Sequence, residues 1–322
     1  MMGLFLLFAV CLISTPVLGS SSPKKRSKSD RNIGAIGHRK IANGDANWFS
    51  PENEKKMGAQ WSAAFERSTQ LLFDPTIADY VEGVAHTVAQ NSDARIPVTV
   101  RIIDREEVYA LTLPGGYLYL TRGLLLRIGN EGELASVLAR GIAHTALRSS
   151  MNELTRENIA RLATIPLIFV GTPGNNTSAS SLAVPLTLLK FKRDDEFDAD
   201  YFGLQYLYKS GYDPECFIRI VQTVSDANPY STPTAKALSP FPPLPERLRA
   251  LQEEISGILP KRDGAVTNTP EFADFRKQLL KLSSPRPETK SEPKPVPDQT
   301  VPSSQSPEGI VGRRGMRSDP SA

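Results

Sequence analysis

With 322 residues and 40% apolar side chains, the chain is long enough for one sizeable core or two small ones, and its composition is that of an ordinary globular domain. A net charge of +3, without any stretch that alternates basic and aromatic residues, excludes a nucleic-acid binder, so no nucleic-acid partner is expected. Cys11 and Cys216 are the two cysteines, and once the first apolar run is removed a disulfide-stapled fold is excluded as well.

Residues 1–18 are nearly all apolar, and Val17 and Gly19 suit the −3 and −1 positions of a cleavage site, so residues 1–19 read as a signal peptide. The run is short for a full membrane span, which disfavours an uncleaved anchor, and its amino end carries no Lys or Arg. The expected location is exported, periplasmic or in the cell envelope. Residues 20–49 are polar and basic, with Lys24, Lys25, Arg26 and Lys28, and read as a solvated linker.

Regular pattern starts at Ser50-Pro51, a helix cap followed by a proline suited to the first turn. Met57, Trp61, Ala64, Phe65, Thr69 and Leu72 recur at helical spacing, and Asp74-Pro75 opens a second helix with Ile77, Tyr80, Val81, Val84 and Val88 on its apolar face. The period then changes to two. Val98, Val100 and Ile102 alternate, and residues 108–113 and 117–121 give two more strands joined by the turn Pro114-Gly115-Gly116. Asn130 caps the next helix, which includes Leu134, Val137, Leu138, Ile142 and Leu147.

Residues 155–170 form an apolar run too short to cross a bilayer alone, read as a buried hairpin helix, with membrane contact possible through residues 155–190. A long helix over residues 191–210 stops at Gly211. Pro214 and Pro245 start further helices, and a last one spans residues 270–282. Residues 283–322, with eight prolines and almost no large apolar residue, read as a disordered tail. The fold class expected is α+β: a mainly helical domain over residues 50–282 with a small sheet of about three strands ahead of the Asn130 helix.

The informative segment is residues 130–144, ending Arg140-Gly141-Ile142-Ala143-His144. Positions i and i+4 share one helix face, so two histidines at that spacing grip one zinc while a Glu beside the first acts as general base, the HExxH arrangement. Here only His144 is left. On its own it reads more readily as a buried helix histidine than as a ligand, and Glu196, Asp198 and Asp200 alone read as a solvated acidic face.

Several motifs in order change that balance. The run Leu-Pro-Gly-Gly-Tyr-Leu-Tyr-Leu-Thr-Arg-Gly-Leu-Leu at 113–125, Glu133-Leu-Ala-Ser-Val-Leu-Ala, Asp194-Asp195-Glu196-Phe-Asp198-Ala-Asp200 with Gly203, and Gly211-Tyr-Asp-Pro resemble the HtpX/BepA-like zinc metallopeptidases, gluzincins of the CAAX prenyl protease type. The resemblance covers residues 50–282 and implies a zincin-like fold. It also implies zinc as cofactor, with His144 and Glu196 as ligands and Asp200 in support. It places Arg140 at the family's first zinc ligand, Gly141 at its general base, and Phe241 where a later histidine often stands. It makes the strand carrying Tyr117 and Tyr119 a wall of the substrate groove.

These departures decide the expected chemistry. Catalytic zinc takes three protein ligands plus water, and a guanidinium has no lone pair to give. Zinc binding is therefore expected to be weak or lost, with no catalytic residue intact. In the family fold Arg140 would face Glu196, and an Arg–carboxylate pair joined by Asp200 would fill the vacated site. The preferred function is an inactive relative that binds extended or misfolded polypeptide in the envelope. The alternatives are an active zinc endopeptidase with an unusual ligand set, and a structural or assembly protein that recruits partners through its tail.

Overall fold

The computed structural model describes residues 26–41, 49–160, 167–169, 183–185, 193–227 and 243–283. The expected signal peptide, the tail beyond residue 283 and Phe241 lie outside them.

Helix α1 (Pro51–Ser68) starts as its sequence requires: the Ser50 side chain accepts from the Asn53 amide and Pro51 fills the first position. Helix α2 (Pro75–Gln90) repeats the device with Asp74, and turns Ile77, Val81, Val84 and Val88 inward. The sheet follows, as β1 (Thr99–Ile103), β2 (Ala110–Leu113) and β3 (Tyr117–Thr121). Its order is β1-β3-β2, with β1 parallel and β2 antiparallel to β3. Gly115, at φ 76°, makes the tight turn that lets β2 fold back on β3.

A short helix α3 (Arg122–Arg127), capped by Thr121, leads to α4 (Glu131–Leu147), capped by Asn130. Helix α4 is the centre of the molecule. Leu134, Leu138, Ile142 and Ala143 are wholly buried, packed with α2, the sheet and α6 (Arg193–Lys209). Burial on nearly every side fits its mostly apolar and small residues.

Helix α5 (Ser149–Ala160) follows at once, then a strand pair, β4 (Leu167–Phe169) antiparallel to β5 (Ala183–Pro185). The hairpin helix expected over 155–170 therefore gives way to a strand at its end. Residues 161–166 and 170 of that expectation lie outside the described residues. Helices α7 (Glu215–Asp226), α8 (Leu244–Gly257) and α9 (Pro270–Ser283) close the fold. No helix among the described residues is long and apolar enough to cross a membrane.

The described part of the expected linker is not solvated throughout. Ile36 and Arg39 are buried. Arg39 Nε and Nη2 donate to Asp93 Oδ2 at 2.9 and 2.7 Å, and its Nη1 donates to Gln205 Oε1 at 2.6 Å. Gln205 Nε2 in turn donates to Glu254 Oε1 at 2.9 Å, and the Tyr206 hydroxyl donates to Asp93 at 3.0 Å. A polar network across α6 thus ties the N-terminal segment to α8.

Burial pushes the Glu254 carboxyl well above the usual carboxylate range, only partly opposed by Gln205. A raised folded-state value means the group's contribution is full below the unfolded value near 4.5 and is lost as pH rises through the window above it. The loss runs at about 1.4 kcal/mol per pH unit. Glu254→Gln keeps an oxygen for Gln205 and removes the titration. Urea unfolding should show it equal to wild type near pH 4 and more stable by more than about 1 kcal/mol near pH 7. Equal stability at both pH values would show that Glu254 ionises normally.

Candidate metal-site remnant

Two helices and the start of a third build the site. Helix α4 presents Arg140, Gly141 and His144, α6 presents Glu196 and Asp200, and α8 presents Arg247. Gly203 lets α6 come close: a Cβ there would lie 3.1 Å from the Arg140 Cα. That approach brings the two ligand-bearing faces together.

The residues singled out from sequence meet here. Arg140 Nη2 is ion-paired with Glu196 Oε2, and Arg140 Nε donates to Asp200 Oδ1 at 3.0 Å. His144 Nε2 faces Glu196 Oε1 at 3.9 Å, and its Nδ1 lies 3.2 Å from Ser149 Oγ. Asp200 also accepts two bonds from Arg247, from Nε to Oδ2 at 2.7 Å and from Nη2 to Oδ1 at 2.8 Å. Two guanidiniums therefore stand against two carboxylates in a site where His144, Glu196 and Asp200 are all buried.

The electrostatics follow from that arrangement. Burial raises the Asp200 carboxyl, but Arg247 and then Arg140 more than offset it and hold it below the usual range. Burial, reinforced by Arg140 and Arg247, holds the His144 imidazole well below its usual value, so it is neutral. Burial also works against the charge of Arg140, with Asp200 opposing it. The side chain keeps 23% of its surface exposed, and a guanidinium starts so high that it stays a cation.

Two of the expected zinc donors face one another here, His144 Nε2 and the Glu196 carboxylate. The third place is taken by a cation already paired with the same carboxylate, so the donor set does not fit a catalytic zinc. Among the described residues no group of three or more His, Cys, Asp or Glu is arranged to hold a metal.

Gly141, the position that the resemblance gives to the general base, is closely enclosed. A Cβ on Gly141 would lie 2.6 Å from Leu118 Cδ2 and 3.0 Å from its Cγ. Leu118 is itself in the core, so the sheet fills the space into which a longer residue would project.

Of the two groove candidates, Tyr119 needs correction. Tyr119 is wholly buried in a second core cluster under α1, its ring edge-on to Phe65 at 4.8 Å and its hydroxyl bonded to Glu66 and Ser62. Tyr117 packs against the same cluster. Side chains alternate along a strand, and β3 gives its other face, Leu118 and Leu120, to α4. The central strand β3 is paired on both sides, and among the described residues β2 is the strand at the sheet edge next to α4. A role for Arg247 was not foreseen. The signal was in the charges: two helical carboxylates one turn apart with one arginine in view leave a place for a second.

Comparison with known proteins gives the family. The profile of peptidase family M48 matches residues 75–255. The chain is 25% identical over 226 residues to the beta-barrel assembly-enhancing protease of Yersinia pestis, covering 66% of this chain and 46% of that one. It is 28% identical over 207 residues to the Escherichia coli protein of the same name, covering 60% and 42%. It is 30% identical over 127 residues to the mitochondrial metalloendopeptidase OMA1 of Arabidopsis thaliana, covering 39% and 24%. The chain spans less than half the length of each of these relatives.

Proposed function

The chain belongs to peptidase family M48, and from that premise we propose that it has exchanged the family's zinc for an internal arginine and binds extended polypeptide in the envelope without cutting it. One observation carries the proposal: Arg140, at the first zinc-ligand position, is paired with Glu196 and Asp200. The cation takes the place of the metal's charge and staples α4 to α6. Gly141 offers no carboxylate to take a proton from an attacking water, so both the electrophile and the base of metal-assisted hydrolysis are missing.

What remains usable is the peptide-binding side. An edge strand accepts an extended segment through its backbone, and β2 supplies such an edge beside α4. The apolar leader in the sequence and the names of the relatives, which concern β-barrel assembly, support placing this function in the envelope, with extended or misfolded chains as partners.

A second reading, an active endopeptidase, is favoured by the pair His144–Glu196, two family ligands still facing one another at 3.9 Å. Incubation with reduced, unfolded casein separates the two. The proposal expects capture of intact casein, with no new fragments and no response to a chelator. Fragments that a chelator suppresses would sink it and establish the second reading.

A further inference from the structure

Away from the cleft, Tyr201, Gln205 and Lys209 lie four residues apart on one face of α6, a stretch about 12 Å long. Residues 26–41 are laid along it. At one end Arg26 donates to Asp198 at 2.6 Å and sits 4.1 Å over the Tyr201 ring. In the middle Arg39 reaches Gln205, and at the far end Lys209 Nζ donates to the Ile36 carbonyl at 2.8 Å. Beside Lys209, Arg262 lies 4.3 Å over the Tyr208 ring and donates to the Tyr208 carbonyl at 2.7 Å.

Arg26 and Arg39 are turned inward as anchors. Further cations are exposed, Lys28, Arg31 and Lys40 on the segment and Lys261 and Arg262 beside Tyr208, while Lys209 between them is partly covered. Asp30, Glu253 and Asp263 are the acids placed to oppose them. Asp30 is bonded within its own turn to Ser27. The segment is pinned at three points, so the backbone that carries Lys28, Arg31 and Lys40 is already ordered before binding.

We propose that this face is a docking surface for an anionic lipid membrane, separate from the cleft. Its charges are spread along a surface segment and α6, where a single phosphate would need a pocket. Among the described residues no exposed aromatic interleaves with them to stack nucleic-acid bases. The chain immediately upstream continues with Lys24 and Lys25, which add to the same charge, and before them the apolar residues 1–18, whose reading from sequence as an export leader fits a chain handed over at a membrane. Basic residues at an anionic surface each strengthen binding by about fivefold.

The test uses the full chain and the variant Lys28→Gln/Arg31→Gln/Lys40→Gln/Lys261→Gln. Each is sedimented with phosphatidylcholine vesicles and with vesicles carrying about 30% phosphatidylglycerol. All four residues are exposed, so the variant should melt with wild type. Residues 1–18 hold no Lys or Arg, so any binding through them is the same on both vesicles. Wild type should bind the anionic vesicles more than about tenfold more tightly, the preference should vanish in high salt, and the four substitutions should reduce it at least about tenfold. Equal binding of wild type to both vesicles would overturn the proposal. So would a preference that the four substitutions leave unchanged, or binding to a single-stranded oligonucleotide as tight as to the anionic vesicles.

Discussion

Arg140→His is expected to turn a chain with almost no zinc into one that holds close to one zinc per molecule. A histidine at position 140 stands one turn from His144 on the same face of α4, and both look toward Glu196. That restores three protein ligands with a fourth position open. Loss of a partner only in the outer shell of a metal site costs about 10- to 100-fold in affinity, so regaining a ligand should exceed a hundredfold. Zinc at about 100 times its dissociation constant should then stabilise the variant by about 2.7 kcal/mol, visible as a rise in Tm that wild type does not show.

Activity should not return with the metal, because position 141 still lacks a base. Gly141→Glu alone crowds Leu118, at a cost of about 1–3 kcal/mol. The casein-cutting variant should be Arg140→His/Gly141→Glu/Leu118→Ala, where the third change opens the space. If the double variant without the Leu118 change already cleaves at full rate, the strand does not obstruct the base position.

The second large effect lies far from the cleft. Arg39→Ala should destabilise the fold by about 3–5 kcal/mol, because Asp93, which has no exposed side-chain surface, would be left as a buried carboxylate without its cation. Replacing both partners, Arg39→Met with Asp93→Leu, should recover much of the loss, since the uncompensated charge disappears with its partner. Thermal unfolding of the three proteins checks this. A loss below about 1 kcal/mol for Arg39→Ala would mean that water reaches Asp93 and that the N-terminal segment is weakly held.

The contrast between these two sites shows what the sequence made legible. Helices and strands over residues 50–147 could be placed because their signals are local, whereas the strand pair β4–β5 was not read from the sequence. Ser50, Asp74 and Asn130 cap the helices they were expected to cap, and the apolar period shifts from helix to strand and back at the places where the structure does. The meeting of Arg140, Glu196 and Asp200 was also legible, though through resemblance, because periodicity does not say which face of α6 meets α4.

Residues 26–41 were not legible as structure. What fixes them is an ion pair between Arg39 and Asp93, 54 residues apart, and a long-range pair leaves no periodic trace in the chain. Tyr119 failed for a related reason. Alternation along β3 gives two faces, and only the packing of α1, through Phe65 and Ser62, decides that its face is a core and not a groove.

The central claim is that Arg140 stands where a zinc would be. Counting zinc per chain in the wild-type protein, by mass spectrometry after dialysis against trace zinc, tests it most directly. The expected result is close to zero, with Arg140→His close to one under the same conditions. Near one zinc per wild-type chain would contradict the account, because it would require Arg140 to leave Glu196 and another side chain to complete the site.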